Sequence, residues 1–251
     1  MIPTPIRQVL STIRKHQVQA LLMGGQACVF YGAAQFSKDV DFTILADDAN
    51  FARLHAALAD LQAPRIAVPR FDPAALARGH AVHFRCQAPG VEGLRVDVMT
   101  RQRGLASFEE LWARRTTLTG EAGEIYDLLA VEDLVQAKKT QREKDWPMIT
   151  ALVAGHYHTL RVEPTAARIA FWLHEARTPE LLRDLAARFP AEARAAQAAR
   201  PLLAHAFTDD LDAMRAAIDV ETRAEQAKDR AYWEPLRREL EEFRRQERAG
   251  M

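Results

Sequence analysis

Asp39 and Asp41 flank Val40 in the run "KDVDFTIL". Residues two apart on a strand share a face, so the two carboxylates project together while Val40 and Phe42 turn to the core. Carboxylates held side by side repel unless a cation lies between them or one is protonated. Mg²⁺ (or Mn²⁺) is a hard cation that takes carboxylate oxygens and leaves positions for phosphate oxygens. An isolated pair also has a structural use, with Asp39 capping the strand and Asp41 paired to an arginine.

Two further features favour the metal. Asp97 lies in "LRVDVMT", again an acid between apolar neighbours. Alternation puts Arg95, Asp97 and Met99 on one face and Val96 and Val98 on the other. A third acid on the sheet face of the first two is what a two-metal centre needs for an in-line displacement. Gly24 and Gly25 end an apolar run and open a helical stretch. Free N–H groups at a helix start attract anions, and glycine lets a phosphate approach the backbone. In "VEDLVQAKKTQREKDW", Leu134, Ala137, Lys138 and Gln141 share a helical face, so Lys138 leans inward and Lys139 points elsewhere. Lys138 suits a triphosphate as a point charge, or serves as a helix-edge lysine with its stem on apolar surface. Arg142 and Lys144 follow as substrate contacts or as members of a local ion-pair set with Asp145.

These residues need a sheet to position them. "VQALLMGG" reads as a buried strand stopped by glycines, "QACVFYG" as a helix closed by Gly32, and "KDVDFTIL" as a second strand. "NFARLHAALADL" is a helix and "RIAVPRF" strand or extended chain. "AVHFRCQA" and "LRVDVMT" are strands joined through "PGVEG". Ser107 and Glu110 have capping-box spacing, which starts a helix at "SFEELWARR". "TTLTGEAGEIYDL" predicts a last hairpin or edge strand. From about Leu129 onward every segment reads as helix, ending in a charged stretch expected to be solvated and frayed. His80, His83, His156 and His158 read as structural, and the four tryptophans as core.

The whole chain sets the bounds. It has 251 residues, 48% apolar and 27% charged, with zero formal net charge. That composition is ordinary for a globular protein and gives no bulk sign of a nucleic-acid or membrane partner. Cys28 and Cys86 both lie in apolar runs, as buried thiols in a reducing compartment do. The longest apolar stretch is too short and glycine-broken to span a bilayer. A cytoplasmic protein is the expectation.

Gly24-Gly25, then Asp39-Val40-Asp41, then Asp97 resemble the signature of the DNA polymerase β-type nucleotidyltransferase superfamily. "VEDLVQAKKTQREKD" is similar to the post-sheet helix of minimal bacterial nucleotidyltransferases of the abortive-infection, type IV toxin kind. The resemblance covers roughly the first 150 residues. It implies an α+β fold: a mixed-sheet nucleotidyltransferase core with flanking helices over residues 1–129, followed by an all-helical domain over 130–251. It implies transfer of a nucleoside monophosphate from an NTP, with Mg²⁺ (or Mn²⁺), to an acceptor hydroxyl. RNA such as a tRNA 3′ end is the favoured acceptor, and a cognate antitoxin or a second copy of the chain is a further partner. By the same resemblance Asp39, Asp41 and Asp97 ligate the metals, and Asp97 helps deprotonate the acceptor. Gly24 and Gly25 hold the β- and γ-phosphates, and Lys138 and Arg142 face the nucleotide. Many family members carry serine where Gly25 stands, so the side-chain donor to phosphate is Gln26, Ser37 or absent. Gln35 stands near the place of an arginine in toxin-like relatives, and Lys38 either compensates or, alternating with Asp39, faces away. The alternative is a non-catalytic nucleotide- or partner-binding module on the same fold.

Overall fold

The computed structural model describes residues 3–120, 123–208 and 210–249. The chain divides into two compact units. The first takes in Met1–Phe30, Ala34–Ala137 and Tyr232–Met251, and the second Tyr31–Ala33 and Lys138–Ala231. The boundary read from sequence at residue 129 falls inside the first unit, to which the end of the chain also belongs.

In chain order the first unit begins with α1 (Thr4–Lys15), β1 (Ala20–Met23), α2 (Gly24–Phe30), β2 (Asp39–Ile44) and α3 (Asp48–Asp60). It continues with α4 (Pro73–Arg78), β3 (Val82–Arg85), β4 (Arg95–Met99), α5 (Phe108–Ala113), β5 (Thr116–Thr119) and β6 (Ile125–Leu128). The six strands make one mixed sheet in the order β3-β4-β2-β1-β6-β5. β2 runs parallel to β4 and β1 parallel to β6, while the other neighbours are antiparallel. Alternation sorts the two faces. Val40, Phe42, Ile44, Val96 and Val98 are buried on one of them. Helices α1 and α3 bury Ile6, Val9, Leu10 and Ile13, and Phe51, Leu54, Ala57 and Leu58, at helical spacing. The other face carries Asp39, Asp41 and Asp97 at one end and buried Thr43 and Met99 at the other.

One buried polar residue ties the two central strands. Asp47 caps α3 by accepting from the Asn50 backbone N–H at 2.6 Å. This holds the fully buried Asn50, whose Oδ1 accepts from Gln19 N–H at 2.7 Å. Its Nδ2 donates to the carbonyls of Gln19 at 3.1 Å and Leu45 at 2.9 Å. The amide bonds backbone groups just before β1 and just after β2, adding to the direct bond from the Leu45 N–H to the Gln19 carbonyl at 3.1 Å.

Three segments differ from the sequence reading. "RIAVPRF" contributes only an isolated bridge between Arg65 and Phe84. Helix α4 was not anticipated, although Asp72 caps its start, Pro73 opens it and Gly79 closes it in the left-handed region. The charged C-terminal stretch is the continuous end of α11 (Leu211–Ala249), with Leu236 buried. There Glu239 meets Arg78 at 2.8 Å and His80 at 2.9 Å, and Glu247 pairs with Arg65. The capping box of Ser107 and Glu110 forms in both directions.

The second unit begins at the end of α6 (Val131–Lys138). It holds α7 (Trp146–Leu160), α8 (Ala166–Glu175), α9 (Pro179–Arg188), α10 (Pro190–Ala196) and the first part of α11. Trp172 is fully buried at its centre, edge-on to Tyr157, with its N–H donating to His156 Nδ1 at 2.8 Å. A buried ionic network surrounds the end of α8. Lys139 meets Glu175 at 2.6 Å, and Arg200 meets Glu221 at 2.8 Å. Arg200 also donates to the carbonyls of Leu173 and Ala176 at 2.7 and 2.8 Å, which caps the helix end. Among the described residues no helix is long and apolar enough to cross a membrane.

Two outcomes follow from these buried polar groups. Asn50→Ala takes from the Leu45 carbonyl and the Gln19 N–H the partner that Asn50 supplies, and costs about 2–4 kcal/mol in urea denaturation. The control is Arg53→Ala on the exposed side of α3, which is expected to change stability by less than about 0.5 kcal/mol. Burial alone pushes the Glu175 carboxyl up, but His174 and Lys139 outweigh it and hold it at about 2 against an ordinary 4.5. Its contribution is therefore full above about pH 4.5 and is lost as pH falls toward 2. Glu175→Gln removes that window. Denaturation midpoints measured across it are expected to show a drop in stability about 3 kcal/mol smaller than in the wild type.

Candidate active site

The parallel register of β2 and β4 builds the site. Asp41 and Asp97 are direct Cα partners, and Asp39 is the partner of Arg95. Because both strands have period two, all four side chains share one face. On the far side of β2, β1 pairs antiparallel and sets Met23 opposite Asp41. On the far side of β4, β3 sets His83 opposite Asp97. The three acids are thus assembled by local register, not by loops.

The glycines follow from the same geometry. β1 passes directly into α2 at Gly24, which has φ +67°. A Cβ built there falls 1.9 Å from Asp41 Oδ2 and 2.8 Å from Asp41 Cβ. The Asp41 carboxylate occupies the place a side chain at 24 would need. A Cβ at Gly25 falls 2.7 Å from Ser37 Oγ. Ser37 in turn donates to the Asp39 carbonyl at 3.0 Å and so braces the start of β2. Gln26 is buried on the next position of α2, and its side-chain Nε2 has no hydrogen-bond partner. A donor left unsatisfied in this way is one a phosphate oxygen could satisfy. Lys38 lies beside Asp39 at the start of β2.

Asp97 is the most buried of the acids and is fully engaged. Its Oδ1 accepts from Arg95 Nε at 2.7 Å and lies 2.8 Å from His83 Nδ1, which is itself 3.0 Å from a terminal nitrogen of Arg95. Its Oδ2 lies 2.7 Å from a terminal nitrogen of Arg95. Burial pushes the Asp97 carboxyl up, but the bonds from His83 and Arg95 overcome it and hold the group below its ordinary value. The bond to Asp97 raises the Arg95 pKa against the opposing effect of burial, and the charges of Asp39 and Asp41 add to the rise. Among the described residues no group of three or more His, Cys, Asp or Glu side chains is arranged to hold a metal ion. The donor chemistry nevertheless suits a hard divalent cation: carboxylate oxygens from adjacent register positions, beside a backbone with no side chain at residue 24.

The structure brings together Asp39, Asp41, Asp97, Gly24, Gly25 and Ser37, with Gln26 one residue on. Lys138 and Arg142 belong to the second unit. Both engage the buried Asp145 there, Lys138 at 3.0 Å and Arg142 at 2.8 Å, and Thr140 donates to the same carboxylate at 2.6 Å. Lys139, expected to point away, is as buried as Lys138. From sequence Arg95 is placed on the face of Asp97 without a role, and His83 reads as structural. The spacing of Arg95 to Asp97 carried a usable signal, whereas His83 depended on the β3–β4 register.

No protein-family model matches the chain, and no curated protein matches it either. The functional reading therefore rests on the site itself.

The fit of Gly24 against Asp41 is directly testable. Gly24→Ala imposes both the clash and a left-handed alanine, and is expected to cost about 2–4 kcal/mol of stability. In an Asp41→Gly background, which removes the clashing atoms, only the backbone penalty of about 1–2 kcal/mol remains. A double-mutant cycle by denaturation measures the difference, and equal costs in both backgrounds would contradict the stated contact.

Proposed function

We propose that this chain is a nucleotidyltransferase that uses Mg²⁺ (or Mn²⁺) to move a nucleoside monophosphate from an NTP to an acceptor hydroxyl. The observation that carries the reading is the pairing of Asp41 with Asp97 across parallel strands, with Asp39 on the same face and Gly24 closing against Asp41. Three carboxylates on one face are costly to keep. A binding surface for a neutral ligand has no need of them, whereas nucleotidyl transfer does.

In this reading Asp39, Asp41 and Asp97 would hold the metal. The bound ion supplies positive charge at the transferring phosphoryl group and the leaving pyrophosphate. The acceptor oxygen forms a bond to the α-phosphorus, the bond to pyrophosphate breaks, and the hydroxyl proton passes to Asp97. Gly24 and Gly25 are proposed to hold the triphosphate through backbone N–H groups, and the support for Gln26 as a further donor is that its buried Nε2 has no partner. Ser37 keeps Asp39 in register through its carbonyl. That Lys138 and Arg142 contact the nucleotide rests on the resemblance alone; in their own unit both hold Asp145. RNA, such as a tRNA 3′ end, is the proposed acceptor class, and the toxin-like role and antitoxin partner rest on the resemblance alone.

A second reading is a nucleotide-binding module without turnover. The observation favouring it is the Arg95–Asp97 pair, which engages the third carboxylate without any metal.

The test is incubation of the purified chain with each α-labelled NTP, Mg²⁺ and total RNA. Label is expected in RNA with release of pyrophosphate, and Asp41→Asn is expected to lower the rate at least about 100-fold with circular dichroism unchanged. Calorimetric binding of NTP with no transfer to RNA, protein or small molecules would support the second reading instead.

A further inference from the structure

The cation that grips the acid cluster comes from the chain itself, and its geometry conflicts with metal binding. Arg95 is the Cα partner of Asp39 and stands two residues before Asp97 on the same face. Its guanidinium grips Asp97 through two nitrogens, each at 2.7 Å, one to each carboxylate oxygen. Oδ1 also has His83 Nδ1 at 2.8 Å, so two nitrogens already crowd that oxygen. A hard divalent ion needs the lone pairs that those nitrogens face. A guanidinium cannot yield by losing its proton and can only move away. It has room to do so, since its side chain is 37% exposed while that of Asp97 is 12% exposed.

We propose that Arg95 is a resident counterion of the three carboxylates, which holds Asp97 while no divalent metal is bound and is displaced from it when one binds. This rests on the metal-dependent reading of the site. His83 has a different part. Seated across from Asp97 on β3, it sets its Nδ1 2.8 Å from Oδ1 and 3.0 Å from a terminal nitrogen of Arg95. It keeps the carboxylate oriented after Arg95 leaves, with Oδ2 turned over to the ion. The guanidinium lowers the repulsion among Asp39, Asp41 and Asp97 in the metal-free protein and lowers the apparent metal affinity by the same competition.

The roles of a displaceable counterion and a permanent structural pair predict opposite signs. A permanent pair positions Asp97 for the metal, so its loss weakens metal binding. A competitor obstructs the metal, so its loss tightens binding.

Mn²⁺ binding to the full chain, followed by electron paramagnetic resonance of free Mn²⁺ without nucleotide, reads that sign. Melting temperatures with EDTA and with excess Mn²⁺ accompany it. Arg95→Gln is expected to bind Mn²⁺ roughly tenfold or more tightly than the wild type. It is also expected to melt lower than the wild type in EDTA and to gain more from Mn²⁺. Arg95→Lys keeps the charge without the two-pronged grip and is expected to fall between the two, and it carries the test where the glutamine variant does not fold. Affinity in these variants equal to or weaker than wild type, with wild-type binding abolished by Asp41→Asn, overturns the counterion role and leaves the metal site standing. Absence of Mn²⁺ binding in every variant overturns both the counterion role and the metal-dependent reading.

Discussion

Everything at the candidate site depends on one pairing, the parallel register of β2 with β4. It makes Asp41 and Asp97 partners and Asp39 and Arg95 partners, so like charges meet on a face that period-two geometry cannot relieve. The opposite face of the same strands is Val40, Phe42, Val96 and Val98, all fully or nearly fully buried. Those apolar contacts fix the register, because a slip by one residue would turn Val96 and Val98 out of the core. The hydrophobic face therefore enforces the electrostatic strain on the polar one. The features around the acids are responses to that strain. Gly24 gives up a side chain so that Asp41 has room, Arg95 supplies charge, and His83 sets its Nδ1 against Asp97 Oδ1.

How much of this could be read from the chain divides along the same physical line. Alternation makes the shared face of Asp39 and Asp41, and of Arg95 and Asp97, legible within each strand. It says nothing of which strand lies beside which, so the facing of Asp41 and Asp97 was an expectation until the register was seen. His83 was passed over because its meaning comes wholly from the β3–β4 pairing. Lys139 misled for a local reason. α6 ends at Lys138, and past that point helical periodicity no longer decides where a side chain points. Lys139 then turns into its own buried pair with Glu175. The C-terminal stretch misled because its acids and arginines look solvated in sequence, while Leu236, Glu239 and Glu247 find partners in the first unit.

The second unit repeats, in a drier setting, the principle that buried charge is kept only when matched. Asp145 is almost wholly buried and accepts from Lys138, Thr140 and Arg142. Burial pushes its carboxyl up, yet Lys138 and the other donors bring it below the ordinary value. Replacing one partner of such a cluster leaves the rest uncompensated. That explains why lysines in an arginine-rich chain fall at these positions. Each of Lys138 and Lys139 meets one carboxylate as a compact point charge in a confined space, where a guanidinium fork would need more acceptors. It also limits what Lys138 can do for a nucleotide, since its charge is already matched within its own unit.

The charge on the acid face has a consequence for its ligand. Its strand positions present three carboxylates and one guanidinium, so a triphosphate arriving alone would meet net negative charge at close range. Gly24 and Gly25 are filled against by Asp41 and Ser37, and the one unsatisfied donor beside them, the buried Gln26 amide, is neutral and does not cancel that repulsion. A nucleotide can settle here only with cations of its own, which makes the metal complex of the nucleotide, and not the free anion, the species whose charge this face complements. The same argument explains why Arg95 belongs on the site without being sufficient for it. One guanidinium is enough to keep three carboxylates folded together, but too little to hold them together with the phosphates they are proposed to serve.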